Sequence, residues 1–386
     1  MRGGGLLKAS SPPRSPSLVL RTSSPKQQQR QRNSSAMAAS PAGAPQAGKP
    51  LVVVGSVNAD FVLSVDRLPL PGETVSASTM DLFPGGKGAN QAAAAARLGH
   101  PTRFIGQCGE DANAAFMRQS LADSTVDCAF LRQVPGCATG SAYIFLQPSG
   151  ENSIVILGGA NQSQWDVSEA HAEAIRGAGA VLLQREIPES VNLRVARVAR
   201  EGGVPVILDA GGVDAPFANE GELVRFVTVL SPNETELARI TGLPTETEDE
   251  MLRAAASLLD LMAPGGRVLI KLGARGSMLI WKKEEEGTAH GGDGGNSGDA
   301  KYCGLRQAPV AVANVVDTTG AGDCFTAAFA VGTVKGWGEG ECLRFASLAA
   351  SKCIQQKGAM VSLPWLKDME ADNDEAESAK ATPFSF

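Results

Sequence analysis

No stretch of this chain approaches the roughly 18 consecutive apolar residues that a membrane span requires; the alanine run Ala92 to Ala96 reads instead as the start of a packed helix. Histidine is scarce. His100, His171 and His290 stand alone, which leaves little support for a histidine-based nucleophilic triad or a metal cluster. The seven cysteines (Cys108, Cys128, Cys137, Cys303, Cys324, Cys342 and Cys353) are odd in number and form no C-x-x-C pair. Neither a disulfide framework nor a zinc site is therefore expected, and a reducing compartment fits. Acidic residues are missing from the first 59 positions, whereas Arg2, Lys8, Arg14, Arg21, Lys26, Arg30 and Arg32 lie among many serines there. That composition predicts an organelle transit peptide over about residues 1–48. Pro12, Pro13, Pro16 and Pro25 would break the amphipathic helix of mitochondrial import, so a plastid stroma is the expected address, with mitochondrion or cytoplasm as alternatives. Without those seven positive charges the formal net charge goes from −6 to −13. So acidic a body excludes nucleic acid as an expected partner.

What is present is an ordinary globular composition, 43% hydrophobic and 20% charged over 386 residues. From Pro50 onward, short β-branched runs alternate with amphipathic stretches. The pattern predicts strands over 51–54, 103–105, 181–183, 206–208, 227–230 and 268–271. It predicts helices over 89–98, 111–122, 190–200, 234–241, 248–261 and 324–335, the last with Phe325, Ala328, Phe329 and Val331 on one face. The fold class is α/β, a three-layer sandwich whose largely parallel sheet lies between helices. Two segments break the alternation, 61–83 and 141–157, and read as strands of a small separate sheet, a lid. A Gly-, Asp- and Glu-rich insert over about 282–300 reads as a solvated loop between two strands, and 367–386 as an acidic tail.

The stretch Asp317-Thr318-Thr319-Gly320-Ala321-Gly322-Asp323 sets a carboxylate just inside a helix that opens with a glycine-flanked turn. Free N–H groups at such an end favour an anion, and the glycines let backbone approach it closely. Asp323 is then placed to take a proton from an acceptor hydroxyl, with Gly320, Ala321 and Gly322 as donors. Alone, the heptapeptide is equally the start of a core helix capped by an aspartate. The helix terminus is expected to lower the Asp323 pKa if it moves it at all. After the first strand, Asn58 and Asp60 stand two residues apart on one side of an extended chain and could each chelate vicinal hydroxyls, or else form a turn. Gly85-Gly86-Lys87-Gly88-Ala89-Asn90 runs into a helix but is not a P-loop, because Asp81 and Gly88 replace its first Gly and its Ser/Thr. Glu186 at a strand end could pair with Arg185 or cap a helix. Asn233 and Glu236 have the spacing of a capping box. Cys324 is read as a small buried hydrophobe rather than a redox group.

These pieces in this order (GSVNAD, GGKGANQA, PNETE and VDTTGAGDCF) resemble the ribokinase branch of the ribokinase/phosphofructokinase-B family of carbohydrate kinases, from about Leu51 to Pro364. The resemblance implies a kinase domain over 49–366 that transfers the γ-phosphoryl of ATP to the 5-hydroxyl of D-ribose. It implies that Asn58, Asp60, Gly86, Lys87, Asn90 and Glu186 bind sugar hydroxyls and that Asp323 is the base. Asn233 and Glu236 would organise Mg2+ and phosphate through water. Lys271, Gly273, Ala274, Arg275 and Gly276 correspond to the ATP loop, with Gly322 and Ser347 at further nucleotide contacts. Asp317, Thr319, Cys353, Gln356, Gly358 and Ser362 match positions that hold potassium. A homodimer through the lid is likewise implied. The alternatives are a kinase of another sugar or nucleoside, fructose or adenosine, and a catalytically silent relative acting as an interaction module.

Overall fold

Runs of Val, Leu and Ile with alternate residues pointing to opposite faces can be buried on both sides only if helices cover both. A computed structural model, which describes residues 48–213, 215–217, 219–283, 301–370 and 380–386, has that architecture. The chain forms β1 (Leu51–Val54), β2 (Asn58–Ser64), β3 (Thr79–Gly85), α1 (Lys87–Arg97), β4 (Thr102–Cys108), α2 (Ala112–Asp123) and β5 (Asp127–Gln133). Next come β6 (Gly140–Leu146), β7 (Asn152–Leu157), α3 (Glu169–Arg176), β8 (Ala180–Arg185), α4 (Glu189–Glu201), β9 (Val206–Gly212) and β10 (Val229–Ser231). Then follow α5 (Glu234–Thr241), α6 (Glu248–Leu261), β11 (Arg267–Lys271), β12 (Ser277–Lys282) and β13 (Tyr302–Gln307). The last elements are α7 (Ala321–Lys335), α8 (Glu339–Cys353), α9 (Leu366–Glu370) and β14 (Thr382–Ser385).

Ten strands make the main sheet in the order β14-β13-β12-β11-β10-β9-β8-β1-β4-β5. Pairing is parallel from β11 to β5 and antiparallel from β11 to β14. The period-2 alternation sorts the core into two layers. Leu51, Val53, Leu182, Ile207 and Leu269 face α1, α2, α7 and α8; Val52, Val54, Val181, Leu183, Leu208, Val268 and Ile270 face α3 to α6. The alanines of α1 are buried, because only small side chains let it pack tightly on the sheet beside α7.

Three features differ from the sequence reading. Helix α7 begins at Ala321 rather than Cys324, and it is buried nearly all round instead of on one face, since α1 and α8 flank it above the sheet. The first lid strand starts at Asn58 rather than at 61, so Asn58 and Asp60, on the extended chain expected of them, form the root of the lid sheet. The acidic tail ends in a strand: β14 pairs with β13, and Phe386 stacks on Tyr302 with ring centroids 5.2 Å apart. The apolar Phe384 and Phe386, two residues apart, are the signal for that strand.

The lid is a four-stranded sheet, β3-β2-β6-β7, with β2 and β6 parallel and the outer pairs antiparallel. Met80, Leu82, Tyr143, Ile154, Val155, Ile156 and Leu157 on it are exposed. Strands β12 and β13 pair with Lys282 opposite Tyr302; of the insert that joins them, residues 284–300 lie outside the described residues, as do 1–47 of the expected transit peptide and 371–379 of the tail.

Candidate active site

The parallel strands β1, β8 and β9 end at one edge of the sheet, where α7 also starts, and side chains from five separate segments meet there. Gly320 precedes α7 with φ +80°, and a Cβ on it would lie 2.9 Å from Ala359 Cα, so both conformation and space demand glycine. The helical ladder opens with the Cys324 N–H donating to Gly320 O at 2.8 Å. The N–H groups of Gly322 and Asp323 therefore have no intrahelical acceptor. Of the donors expected from the sequence, that of Ala321 is turned back onto Thr318 O at 3.2 Å, whereas that of Gly322 has no acceptor within the helix.

Asp323 lies in the first turn and is 5% exposed. Its Oδ2 accepts from Asn90 Nδ2 at 3.0 Å, its Oδ1 accepts from Gln91 Nε2 at 3.1 Å, and Lys87 Nζ stands 3.9 Å from Oδ1. Contrary to the expectation from the helix terminus, its pKa is raised. Burial pushes it up, the Lys87 ammonium pulls it back, and the Asp209 carboxylate adds to the rise. The sequence argument failed because desolvation depends on neighbours that no local motif discloses.

Asn58 is 6% exposed; its Oδ1 accepts from Asn161 Nδ2 at 2.8 Å, and the same amide bridges both backbone groups of Val57. Asp60 lies against Gly85, and its carboxyl is raised to about 7 by burial, with the Glu186 and Asp323 carboxylates adding. Asp60 Oδ1 and Asn90 Oδ1 are buried acceptors without a partner. Such atoms are costly unless something donates to them. Gly86 has φ +86°, and a Cβ there would press to 2.8 Å from Asn58 N. Glu186 Oε2 accepts from Ser56 Oγ at 2.5 Å and from Lys87 N–H at 2.9 Å. Of the two local alternatives for Glu186, capping is the one seen, since its carboxylate accepts from the first N–H of α1. Arg185 pairs with Glu189 instead, at 3.4 Å. The Lys87 pKa is raised, chiefly by Asp323 and then by Asp209, Glu186 and Glu236 against the effect of burial.

On the other side of Asp323, Asn233 and Glu236 form the capping box of α5, Glu236 N–H to Asn233 Oδ1 at 2.7 Å and Asn233 N–H to Glu236 Oε2 at 2.8 Å. Glu236 Oε1 points instead toward Gly211, where Lys87 Nζ also converges. Lys271 ends β11, its ammonium 2.7 Å from Asp209 Oδ2 and 3.8 Å from where a Cβ on Gly322 would lie. Gly273, Ala274 and Arg275 make a 3-10 turn that Gly276, φ +86°, closes into the β11–β12 hairpin, and Arg275 pairs with Glu234 at 2.6 Å. Ser347 is buried on α8, away from the hairpin in sequence but on the helix that packs against α7.

A further cluster lies just before α7. Asp317 Oδ1 accepts from Thr319 N at 2.9 Å and its Oδ2 accepts from Gly358 N at 2.9 Å. Burial opposes its ionisation, but these bonds hold its carboxyl below the usual range. Cys353 Sγ lies 3.1 Å from Ser362 Oγ, and the Gln356 N–H donates to Cys353 O at 3.3 Å. Asp317, Thr319, Cys353, Gly358 and Ser362 are therefore neighbours, while the Gln356 side chain is exposed. Cys324 is buried beside Cys353 and its thiol is pushed up, first by its hydrogen bond to Cys353 and then by burial, as suits a packed core residue.

Three residues of this site went unread in the sequence: Asn161, Gln91 and Asp209. Asp209 had a usable signal, a carboxylate closing a Val-Ile-Leu strand ahead of two glycines. Asn161 and Gln91 had none, since each acts on a partner more than 100 positions away.

Comparison with known proteins identifies the family. The pattern of the pfkB family carbohydrate kinases matches residues 49–366. A ribokinase of Arabidopsis thaliana is 48% identical over 319 residues, covering 82% of this chain and 78% of the relative. A ribokinase of Haemophilus influenzae is 33% identical over 317 residues, covering 82% and 95%. The solved structure of Arabidopsis thaliana ribokinase complexed with ribose and ATP superposes with a TM-score of 0.75 at 47% identity, covering 84% of this chain and 98% of that one. The match spans the sheet apart from β14, the lid and every segment that meets at Asp323, and on it this chain belongs to the pfkB family of carbohydrate kinases.

Proposed function

We propose that this chain transfers the terminal phosphoryl group of ATP to the 5-hydroxyl of D-ribose, giving D-ribose 5-phosphate and ADP. The observation that carries the reading is a pair of buried acceptors without donors, Asp60 Oδ1 and Asn90 Oδ1, beside the Asp323 carboxylate. A polyol supplies hydroxyl donors to both. Asn58, held by Asn161, and Lys87, Gly86 and Glu186 around the start of α1 complete the sugar side. Asp323 takes the proton of the acceptor hydroxyl as its oxygen bonds to phosphorus and the bond to the ADP oxygen breaks, ADP leaving with the electron pair. Its raised pKa makes it a stronger base than an exposed aspartate. Charge on the equatorial oxygens meets the N–H groups at the start of α7 and the Lys87 ammonium.

Glu236 suits Mg2+ held through water, because one of its oxygens caps α5 while the other faces the site; bound there, the ion would neutralise nucleotide phosphate charge. Lys271 and the Gly273 to Gly276 hairpin, with Ser347, form the nucleotide side. Asp317, Thr319, Cys353, Gln356, Gly358 and Ser362 offer oxygen donors, several of them backbone carbonyls, as a hard monovalent cation such as K+ requires. Its role is to hold the loop that presents the Gly322 N–H. The exposed apolar residues of the lid sheet support a homodimer through that face, and the acid-free, serine-rich leader supports plastid import.

The test is ADP release by the purified chain with ribose, 2-deoxyribose, fructose and adenosine. Ribose should be preferred, with kcat/KM for 2-deoxyribose lower by at least about tenfold, since a site built to pair with a hydroxyl rejects an analogue lacking it. Preference for adenosine or fructose refutes the substrate; no release with any acceptor refutes the enzyme.

A further inference from the structure

Two ammonium groups stand near the amino end of α7, and elementary electrostatics makes that the wrong end of a helix for a cation. Lys87 has Asp323 to explain it. Lys271 does not: its Nζ lies 3.8 Å from the position a Gly322 Cβ would take, yet its ion-pair partner is Asp209, at 2.7 Å. Asp209 lies midway along β9 and is fully buried. Its Oδ1 accepts from the Gly211 N–H at 2.9 Å, and its Oδ2 accepts from Lys271 Nζ and, at 2.9 Å, from Thr326 Oγ1 on α7 itself. Thr326 is one helical turn beyond Asp323. The Lys87 side chain in turn crosses over Gly211, with Nζ 2.7 Å from a Cβ built there. Charges thus alternate across the site in the order Lys271, Asp209, Lys87, Asp323. A buried ion pair is weak support for stability, because apolar residues of like volume do as well or better. Its place here is better explained by an anion that arrives between the two lysines.

We propose that Asp209 is a positioning residue for phosphoryl transfer: it holds the Lys271 ammonium at the amino end of α7, so that the terminal phosphoryl group of a nucleoside triphosphate meets Lys271 and Lys87 together with the Gly322 N–H. Asp209 touches no substrate. It acts by confining a flexible side chain that otherwise samples many rotamers, and by leaving Lys87 as the cation beside Asp323. This inference rests on the phosphoryl-transfer reading above.

The test is a double-mutant cycle, Asp209→Asn, Lys271→Met and both together, read as kcat and as KM for ATP and for ribose. Each single change should lower kcat by roughly 10- to 100-fold, in the range of losing one donor to a developing anion, with the ribose KM within about twofold. In the Lys271→Met background, Asp209→Asn should cost less than about threefold more, because the two act as one unit. An Asp209→Asn enzyme with the kcat of the parent, or losses that multiply, overturns the proposal. If Asp209→Asn does not fold, Lys271→Met decides, since it leaves Asp209 facing Lys87; unchanged kcat there is fatal. Should the parent chain not phosphorylate ribose, the functional reading fails separately. The same cycle is then run on ATP affinity by calorimetry, where equal, non-additive weakening supports the role of Asp209 and unchanged affinity refutes it.

Discussion

Replacing Asp60 by Asn should stabilise the ligand-free protein above neutral pH while damaging its use of the sugar. Burial, with the charges of Glu186 and Asp323, lifts this carboxyl from 3.8 to about 7. Each pKa unit corresponds to about 1.36 kcal/mol, so the ionised form costs at most about 4 kcal/mol, and about half that once water reaching the partly exposed pocket is counted. The sign follows from proton linkage. Between 3.8 and about 7 the folded carboxyl keeps a proton that the unfolded chain has released, so stability falls as pH rises through that window and levels off above it. The side-chain amide of the variant has no proton to lose. The assay is urea unfolding of both chains, followed by tryptophan fluorescence, at pH 4, 5.5, 7 and 8.5. The variant's advantage should grow by about 2 to 4 kcal/mol from the lowest pH to the highest and then stop growing. Subtraction cancels the titrations of groups that do not feel the charge at position 60. Saturating ribose should narrow the gap, because hydroxyl donors to Oδ1 favour the charged carboxylate, and kcat/KM for ribose should fall by about 10- to 100-fold in the variant. Parallel stability curves with a constant offset would refute the reasoning, since they would mean that Asp60 titrates alike in the folded and unfolded states.

Asp323→Asn should lose roughly 10²- to 10⁴-fold in turnover with little change in ATP affinity; near-normal turnover in a coupled ADP assay removes it as the base. Asn161→Ala deletes the bridge that holds Asn58 and both Val57 backbone groups, so the ribose KM should rise by about tenfold, near 1.4 kcal/mol, while the ATP KM stays put. A matching rise in both constants would instead show general loosening. Exchanging potassium for tetramethylammonium should depress kcat, because that ion is too large for the oxygen donors around Asp317 to enclose; initial rates that do not respond would remove the cation from the loop.

Much of this protein was written in local pattern. The two-residue alternation of Leu51 to Val54 and of Val181 to Leu183 sufficed for strands buried on both faces, because side-chain direction in a strand is a property of the backbone alone. The same holds for Asn58 and Asp60 on one side of β2, for the capping box of Asn233 and Glu236, and for the glycines that open α7, where geometry is settled within a few residues. Tertiary structure alone decided who stands opposite whom. Asn90 and Gln91 reach Asp323 across more than 230 positions, and Asp209 meets Lys271 across 62. Those meetings, and the exclusion of water around them, reverse the expected shift at Asp323, lift Asp60 to about 7 and leave two acceptors waiting for a donor. Desolvation and Coulomb interaction act through space and not along the chain, so the motifs disclosed which groups carry the chemistry and the packing set their charge.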